Sequence, residues 1–491
     1  MGLFVSAHAL LAAILIASRW LSSESRVIVV RASAGVGSIL GVALFLTRHV
    51  DGSWRTISFI PQAAALAGLA IACAWLVVAV TGANADGWRT GALVGVASSS
   101  LALFGLGRWT VPSLLFWMCG SVAIGVLTYG EPRRGAALIP VALSDVALVA
   151  ASICFVARTE VWSMPSSMSG WSFWLVLAAV VLRAGAIPSM GTWALLGSGA
   201  APALPLLTGG SFVLLGRVGT RVEPWLAAAL VILALALAVV AVARRRFPMA
   251  VVTAWPVMLG LSLCFVDQRL VILGGSLATI AMTAAVLWPL TGGHGRAERG
   301  LLLAFVPATL GFAAVAFAAV RAFEQSRSSE TVAEAAPWTI IAALLPLTLA
   351  AGVTVGARAG RQQVRPEASI EAILGTWLLL GVTIILGFSP SALLEGAPSP
   401  LGAKGSVILL NLGAVAMGAG AGWLVARRQL SVVRTGVGVV AGAVDEEVVT
   451  GVPLLGEGAE RWMQWTAVVV ALAAVAGAGW LTIDGLRKGF L

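Results

Sequence analysis

Charged residues are scarce in this sequence, and their scarcity excludes most soluble protein classes. Asp, Glu, Lys and Arg make up 11% of the 491 residues, whereas a soluble domain usually carries about 25%. Hydrophobic residues account for 59%. A globular core cannot bury so large an apolar fraction, so the composition favours a protein that folds in a membrane.

Cysteine and histidine are also few and scattered, which argues against metal and haem sites. The four cysteines fall inside apolar stretches without a CxxC pair, and the three histidines are widely separated. Neither a disulfide framework nor a zinc site is indicated. Paired carboxylates and Ser/His arrangements are missing as well, so we expect no metal, no cofactor and no catalytic site of the chain's own. The residues concerned are Cys73, Cys119, Cys154, Cys264, His8, His49 and His294.

Long apolar stretches recur from one end of the chain to the other. Each is about 18 to 24 residues long, the length that a helix needs to cross a hydrocarbon core of about 30 Å. Their repetition predicts an all-α, polytopic transmembrane helix bundle of about 14–16 spans. The first stretch, residues 3–18, has no basic segment ahead of it and no clear cleavage site, so we expect a retained span.

Basic residues in the connections predict how this bundle is oriented in a cell (inner) membrane. The odd-numbered connections are richer in arginine than the even-numbered ones, and cytoplasmic loops collect Lys and Arg. Both termini are therefore expected on the outer face. The same bias accounts for the net charge of +10 without a nucleic-acid surface. The polar joint at residues 431–461 is compatible with an interfacial helix or with a solvated loop.

An acidic residue inside an apolar span is the first indication of function. Asp145 lies within the span at residues 136–156. A carboxylate there is costly unless it faces a cavity or a partner, so Asp145 is a candidate proton-relay group. A hydrogen bond or ion pair between helices that only fixes their packing is the alternative.

The stretch at residues 182–217 combines an arginine at membrane depth with many helix breakers. Arg183 follows an apolar run, and proline and glycine then recur in close succession. Non-helical backbone is tolerated in a membrane where it lines water or is buried in protein, so we expect a discontinuous helix beside a hydrated path. An ordinary helix–loop–helix with a short external turn is the alternative. The predicted interruption includes Pro188, Gly191, Pro202, Pro205, Gly209 and Gly210.

A stripe of small residues marks a third region, residues 244–287. Gly275, Thr279 and Thr283 recur there at four-residue spacing, which places them on one face of a helix. Such a stripe favours close helix packing and hydrogen bonding between helices. Lining a polar path is the alternative.

These regions follow one another in an order that resembles a known family. LSDVALVA surrounds Asp145, RAGAIP begins at Arg183, Trp193 comes next, APALPLLTGG precedes Arg217, and RRFPMAVVTA follows. Order and spacing over about residues 110–290 resemble the proton-conducting, antiporter-like membrane subunits. That family includes the large pump subunits of respiratory complex I, the membrane subunits of multi-subunit sodium/proton antiporters, and the membrane partner in two-component inorganic-carbon uptake systems.

The resemblance implies two five-helix repeats related by inverted symmetry, each with a broken helix. It divides the chain into N-terminal helices at 1–87, a first repeat at 88–220, a second repeat at 221–357 and C-terminal helices at 358–491. Pro307 and Gly311 are candidates for the break in the second repeat.

Most relay residues of that family are missing from this chain. It has only two lysines, and both lie outside helix interiors. Arg183 stands at the family's broken-helix lysine, and a guanidinium group stays charged and does not readily release a proton. The span expected to carry a glutamate, residues 114–127, has no carboxylate, and Thr208 takes the place of a histidine. Where the family has two histidines and a lysine, the nearby residues are Gly275, Thr279 and Thr283.

Three functions are compatible with this sequence. The first is an integral membrane subunit of a multi-subunit proton-translocating complex, in which Asp145 carries the proton beside Arg183 while Thr208, Thr279 and Thr283 line the path. Its partners would be other membrane subunits, the lipid bilayer and protons or Na⁺. The alternatives are a non-conducting scaffold or coupling subunit of a membrane redox or inorganic-carbon uptake complex, and an independent secondary transporter.

Overall fold

The computed structural model describes most of the chain, and the described part is almost entirely helical. The described residues are 2–46, 61–82, 87–106, 113–128, 134–159, 170–185, 200–218, 222–243, 249–287, 309–359, 370–388, 457–488 and a few between 409 and 420. They contain no β-strand. The all-α prediction is therefore confirmed.

The helices group into two compact units, Met1–Gly219 with Gly451–Leu491, and Thr220–Thr450. The helices of the first unit are α1 (Gly2–Ala17), α2 (Ser23–Leu46), α3 (Pro61–Thr81), α4 (Gly87–Leu106), α5 (Ser113–Leu127), α6 (Arg134–Thr159), α7 (Trp171–Ala184), α8 (Ala203–Val218) and, from the C-terminal end, α15 (Glu457–Arg487). The helices of the second unit are α9 (Pro224–Ala243), α10 (Met249–Val266), α11 (Val271–Leu287), α12 (Leu310–Ser328), α13 (Val332–Ala359) and α14 (Ile370–Phe388). The four-part division at residues 87, 220 and 357, and the inverted symmetry, stay predictions.

Length and composition identify many of these helices as membrane spans. Eight helices in the described residues are long and apolar enough to cross a membrane, and five shorter apolar helices accompany them. A helix of about 20 residues is about 30 Å long, which matches the hydrocarbon core. The chain is thus a multi-pass membrane protein.

Helix α8 occupies the interior of the first unit. Every residue of Ala203–Val218 is buried, and the helix packs against α3, α4 and α7. Helix α6 packs against α7 and α15, and α5 packs against α4 and α6. These contacts bring α5, α6 and α7 together around the charged residues that the sequence singled out.

Glycines allow neighbouring helices to approach closely in both units. In the first unit, a Cβ atom on Gly41 of α2 would lie 2.5 Å from the backbone nitrogen of Ala72 in α3. In the second unit, a Cβ on Gly274 of α11 would collide with the carbonyl oxygen of Gly260 in α10. Small residues at helix contacts are typical of membrane bundles, because they let backbones touch. Gly274 is not a member of the stripe Gly275, Thr279 and Thr283, whose role in helix packing stays a prediction.

Helices α7 and α8 lie on either side of the predicted interruption. Helix α7 ends at Ala184, and Gly185 follows with a φ of 80°, a left-handed conformation that glycine adopts without a steric penalty. Helix α8 begins at Ala203 after a turn that includes Pro202. Pro188 and Gly191 lie outside the described residues.

Three of the predicted breakers do not interrupt a helix. Pro205, Gly209 and Gly210 all lie within the continuous helix α8. Pro205 lies in the first turn of α8. Backbone N–H groups in the first turn have no partner within the helix, so the N–H that proline lacks costs no helical hydrogen bond. The two glycines are tolerated because the complete burial of α8 outweighs their low helix propensity.

Two further expectations concern helix starts. Helix α12 begins at Leu310, with the Thr309 side chain accepting a hydrogen bond from the backbone N–H of Phe312. Gly311 therefore lies in the first turn of α12, and Pro307 lies outside the described residues. Residues 457–461 open α15, whereas the rest of the predicted interfacial segment, 431–456, also lies outside them.

Candidate functional site

Asp145 and Arg183 form a buried ion pair between α6 and α7. The Nη1 atom of Arg183 lies 3.0 Å from Oδ1 of Asp145. Asp145 is 3% exposed and Arg183 is 4% exposed. Either charge alone would be costly in a low-dielectric interior. The main effect of the pairing is therefore that neither buried charge is left without a counter-charge.

Helix α5 completes this pair with two neutral side chains. The Trp117 indole donates a hydrogen bond to Oδ1 of Asp145 at 2.9 Å, and the Ser121 hydroxyl donates to the same oxygen at 3.0 Å. Nη1 of Arg183 donates to the Ser121 hydroxyl at 2.8 Å. Trp117 and Ser121 are four residues apart, so they lie on one face of α5. One carboxylate oxygen therefore accepts three hydrogen bonds from two helices.

The guanidinium of Arg183 also packs on the Trp117 ring. Its Cζ atom lies 4.0 Å from the ring centroid, well within the distance at which the electron-rich face of an indole attracts a cation. Trp117 thus contacts both charges of the pair. It donates to the carboxylate through its edge and faces the guanidinium with its ring.

Two hydrogen bonds fix the end of α7 that carries Arg183. The Thr208 hydroxyl of α8 donates to the carbonyl oxygen of Ala184 at 3.0 Å, which satisfies one of the carbonyls left open at a helix end. The Ser144 hydroxyl of α6 donates to the carbonyl of Ala179 at 2.8 Å. Thr208, predicted as a pathway residue, therefore lies next to Arg183 in space and holds its helix.

A small cavity adjoins the arginine side of the pair. Its volume is about 20 Å³, and its walls include Ser100, Trp117, Gly120, Arg183 and Leu206. A cavity of this size has room for about one water molecule. The buried Nε of Arg183 makes no hydrogen bond within the described residues, so it is a donor available to such a water.

An aromatic pair connects this site to a second buried arginine. The rings of Trp117 and Phe104 lie 4.7 Å apart between centroids. The Cζ atom of Arg217 lies 5.4 Å from the Phe104 ring, and its guanidinium donates to the Phe104 carbonyl. Arg183 and Arg217 therefore each contact one ring of a tilted aromatic pair.

Thr279 and Thr283 lie in the second unit, on the buried helix α11. The Thr283 hydroxyl donates to the backbone carbonyl of Thr279 at 2.7 Å. The Thr279 hydroxyl is buried without a hydrogen-bond partner in the described residues, as is that of Ser276. This part of α11 consequently presents polar atoms to the interior of the unit.

The sequence predicted the charges of the first site but missed its neutral members. Asp145 and Arg183 stood out because ionisable residues are rare inside apolar spans. Trp117 and Ser121 carry no charge, and the span at residues 114–127 drew attention only because it lacks a glutamate. Their four-residue spacing on one helix face was the available signal.

Comparisons with known proteins bear on the fold. No family model and no curated protein sequence matches the chain. A chain of the Mrp complex from Dietzia sp. DQ12-45-1b is similar, with a TM-score of 0.67 and 14% identity over 99% of this chain and 60% of that chain. This chain therefore spans less than two thirds of that Mrp complex chain.

Two respiratory complexes contain similar chains. One belongs to the membrane-bound sulfane sulfur reductase, an archaeal respiratory membrane complex, with a TM-score of 0.59 and 15% identity over 82% of this chain and 78% of that chain. Another belongs to respiratory complex I from Thermus thermophilus, with a TM-score of 0.58 and 14% identity over 80% of this chain and 100% of that chain. The protein thus has the fold of these chains from Mrp, sulfane sulfur reductase and complex I assemblies, which confirms the antiporter-like resemblance at the level of fold.

Proposed function

We propose that the chain is a membrane subunit that moves protons within a larger complex, with Asp145 as the proton-binding group. One observation carries the proposal. Asp145 is buried against Arg183 near the C-terminal end of α7, beside a cavity with room for about one water molecule. Ionisable groups buried in membrane bundles commonly mark ion pathways. Burying such a group costs free energy, so these groups are rare inside spans where they have no function.

The two members of the pair have different chemical roles. Asp145 exchanges a proton, whereas the guanidinium of Arg183 remains charged. When Asp145 takes up a proton, its attraction for Arg183 falls and the arginine becomes a buried cation without a counter-charge. Its guanidinium then shifts its hydrogen bonds toward the Ser121 hydroxyl and the cavity beside Ser100. Release of the proton restores the ion pair.

This arrangement favours the proton over Na⁺ as the translocated ion. A sodium ion at Asp145 would lie close to the fixed positive charge of Arg183, and two like charges repel strongly in a low-dielectric interior. It would also need several oxygen ligands in place of the nitrogen donors of Trp117 and Arg183 that now surround Oδ1. A proton needs only the carboxylate.

The proposal includes partner subunits. The similar chains come from assemblies described as an Mrp complex, a respiratory membrane complex and respiratory complex I. We infer that this chain also functions beside other membrane subunits.

Thr279 of α11, with its buried hydroxyl, is our candidate for a polar path in the second unit.

The test is proton flux through the complex purified by a tag on this chain and reconstituted in liposomes with an internal pH-sensitive dye. Asp145→Asn keeps the side-chain shape but cannot ionise, so we expect flux to fall at least about tenfold. Arg183→Lys keeps a cation and should retain more flux than Arg183→Gln. Asp484→Asn is the matched control, because Asp484 pairs with Lys488 at the exposed end of α15. Wild-type flux in Asp145→Asn would remove Asp145 from the pathway.

A non-conducting scaffold is the second candidate, and one observation favours it. The Oδ1 atom of Asp145 already accepts three hydrogen bonds, which is the environment expected of a pair that fixes α5, α6 and α7 in place. In that case Asp145→Asn lowers the yield of assembled complex, while the flux per assembled complex stays unchanged. Measuring yield and flux on the same preparation separates the two functions.

A further inference from the structure

A polar groove lies at one end of the second unit. Helices α9, α11 and α13 begin there, and α10 and α12 end there. The groove has a volume of about 470 Å³, and its walls include Val266, Asp267, Arg269, Arg321, Gln325 and Trp338. This volume falls in the range of sites that hold small ligands, about 300–1,000 Å³.

One arginine of the groove is held in place by two carboxylates. The Nε of Arg321 lies 2.9 Å from Oδ2 of Asp267, and its Nη1 lies 3.4 Å from Oε2 of Glu324. The Arg321 side chain is nevertheless 43% exposed, so part of its guanidinium still faces the groove. Asp267 is itself fixed, because its side chain accepts a hydrogen bond from the backbone N–H of Arg269 at 2.9 Å.

The second arginine of the groove has no such restraint. The side chain of Arg269 is exposed, and it takes part in none of the ion pairs formed within the described residues. The groove wall thus carries two guanidinium groups against the single carboxylate of Asp267. Glu324 pairs with Arg321 from outside the groove wall, so Arg269 is the guanidinium of the groove that has no carboxylate partner within the described residues, and it is available to an anionic group of a ligand.

The position of the groove identifies the kind of ligand. Helices of 17 to 28 residues bound it, so its depth corresponds to the boundary between the hydrocarbon core and the headgroups. Trp338 and Val266 give it an apolar wall, and tryptophan is typical of this boundary. A ligand that meets both conditions is amphiphilic and carries an anionic group.

We propose that this groove binds the phosphodiester headgroup of an anionic phospholipid. Arg269 and Arg321 donate to the phosphate oxygens, the Gln325 amide reaches the polar headgroup, and Trp338 packs against the glycerol end of the acyl chains. Lipid bound there links the loop at Asp267 to the end of α12. The proposal is independent of the proton pathway in the first unit.

The test measures lipid binding to the purified, delipidated protein. Phosphatidylglycerol, phosphatidylcholine and inorganic phosphate are titrated separately, and binding is followed by native mass spectrometry and by the thermal unfolding midpoint. We expect phosphatidylglycerol to bind more tightly than phosphatidylcholine. Arg269→Gln should weaken phosphatidylglycerol binding about fivefold, the effect of one arginine near an anionic headgroup.

Arg327→Gln is the matched control on the same bundle end. Arg327 lies on α12 with its guanidinium 5.9 Å from the Phe323 ring, and it does not line the groove. The Arg327→Gln substitution should leave phosphatidylglycerol binding unchanged.

Equal effects of the two substitutions, or equal binding of the two lipids, overturn the proposal. Competition by inorganic phosphate at the same affinity assigns the site to a free anion and overturns the lipid assignment. Arg269 and Arg327 are both exposed, so both variants are expected to fold.

Discussion

The coupling between Asp145 and Arg183 gives a quantitative test of the site. Arg183→Gln removes the charge that balances Asp145 and one of the three hydrogen bonds to Oδ1. Asp145→Asn leaves Arg183 buried without a counter-charge. Removing one partner of a buried ion pair typically costs about 3–5 kcal/mol, so we expect each single variant to lower the free energy of unfolding by about that amount.

The double variant should be less destabilised than the sum of the singles. Asn and Gln at positions 145 and 183 are neutral and can still hydrogen-bond, so no uncompensated charge remains in the interior. We expect a coupling energy of at least about 2 kcal/mol, which lies within the range measured for residues that share one network. Reversible unfolding in mixed detergent micelles, followed by circular dichroism, measures all four proteins.

A second cycle on an exposed pair calibrates the first. Lys488 Nζ lies 2.9 Å from Oδ2 of Asp484, and the pair lies at the end of α15. Exposed pairs of this spacing contribute about 0.3–0.5 kcal/mol because water and salt screen them. If the effects of the Asp145 and Arg183 variants add within about 0.5 kcal/mol, the buried pair is not coupled and our description of the site is wrong.

Three further predictions concern packing, the end of α7 and topology. Gly41→Ala should lower the free energy of unfolding by about 1–3 kcal/mol, because the new Cβ would lie 2.5 Å from the backbone nitrogen of Ala72. Gly381→Ala is the neutral control in the same micelle assay, because a Cβ on Gly381 would have no atom within 4 Å. Thr208→Val should cost about 1 kcal/mol through loss of the hydrogen bond to the Ala184 carbonyl, whereas Thr208→Ser should restore it. Single cysteines added at either terminus of a cysteine-free variant should react with a membrane-impermeant maleimide from outside intact cells, and labelling only after lysis would reverse the predicted orientation.

The fold was predictable because hydrophobicity dominates this sequence. In a membrane, a run of about 20 apolar residues can form all its backbone hydrogen bonds only as a helix or in a closed barrel. No alternating pattern of apolar and polar residues favours a barrel here. Asp145 and Arg183 were predictable for the opposite reason, since a charge inside such a run needs an explanation. Each conclusion depended on a strong local signal.

The remaining features depend on tertiary contacts that no local signal contains. Gly209 and Gly210 look like helix breakers, yet α8 is continuous because its neighbours bury all of it. Trp117 and Ser121 look like ordinary residues of an apolar span, yet they surround the carboxylate. Only the packing of α5 against α6 shows which face of α5 meets the charge.

The position of Asp145 on α6 makes three helices depend on one carboxylate oxygen. Trp117 and Ser121 of α5 and Arg183 of α7 all donate to Oδ1 of Asp145. A buried cation without a counter-charge destabilises a bundle by several kcal/mol, which is a large share of the stability of a typical protein. A change at either charged position alone is therefore costly, and we expect positions 145 and 183 to tolerate substitution only when both change together.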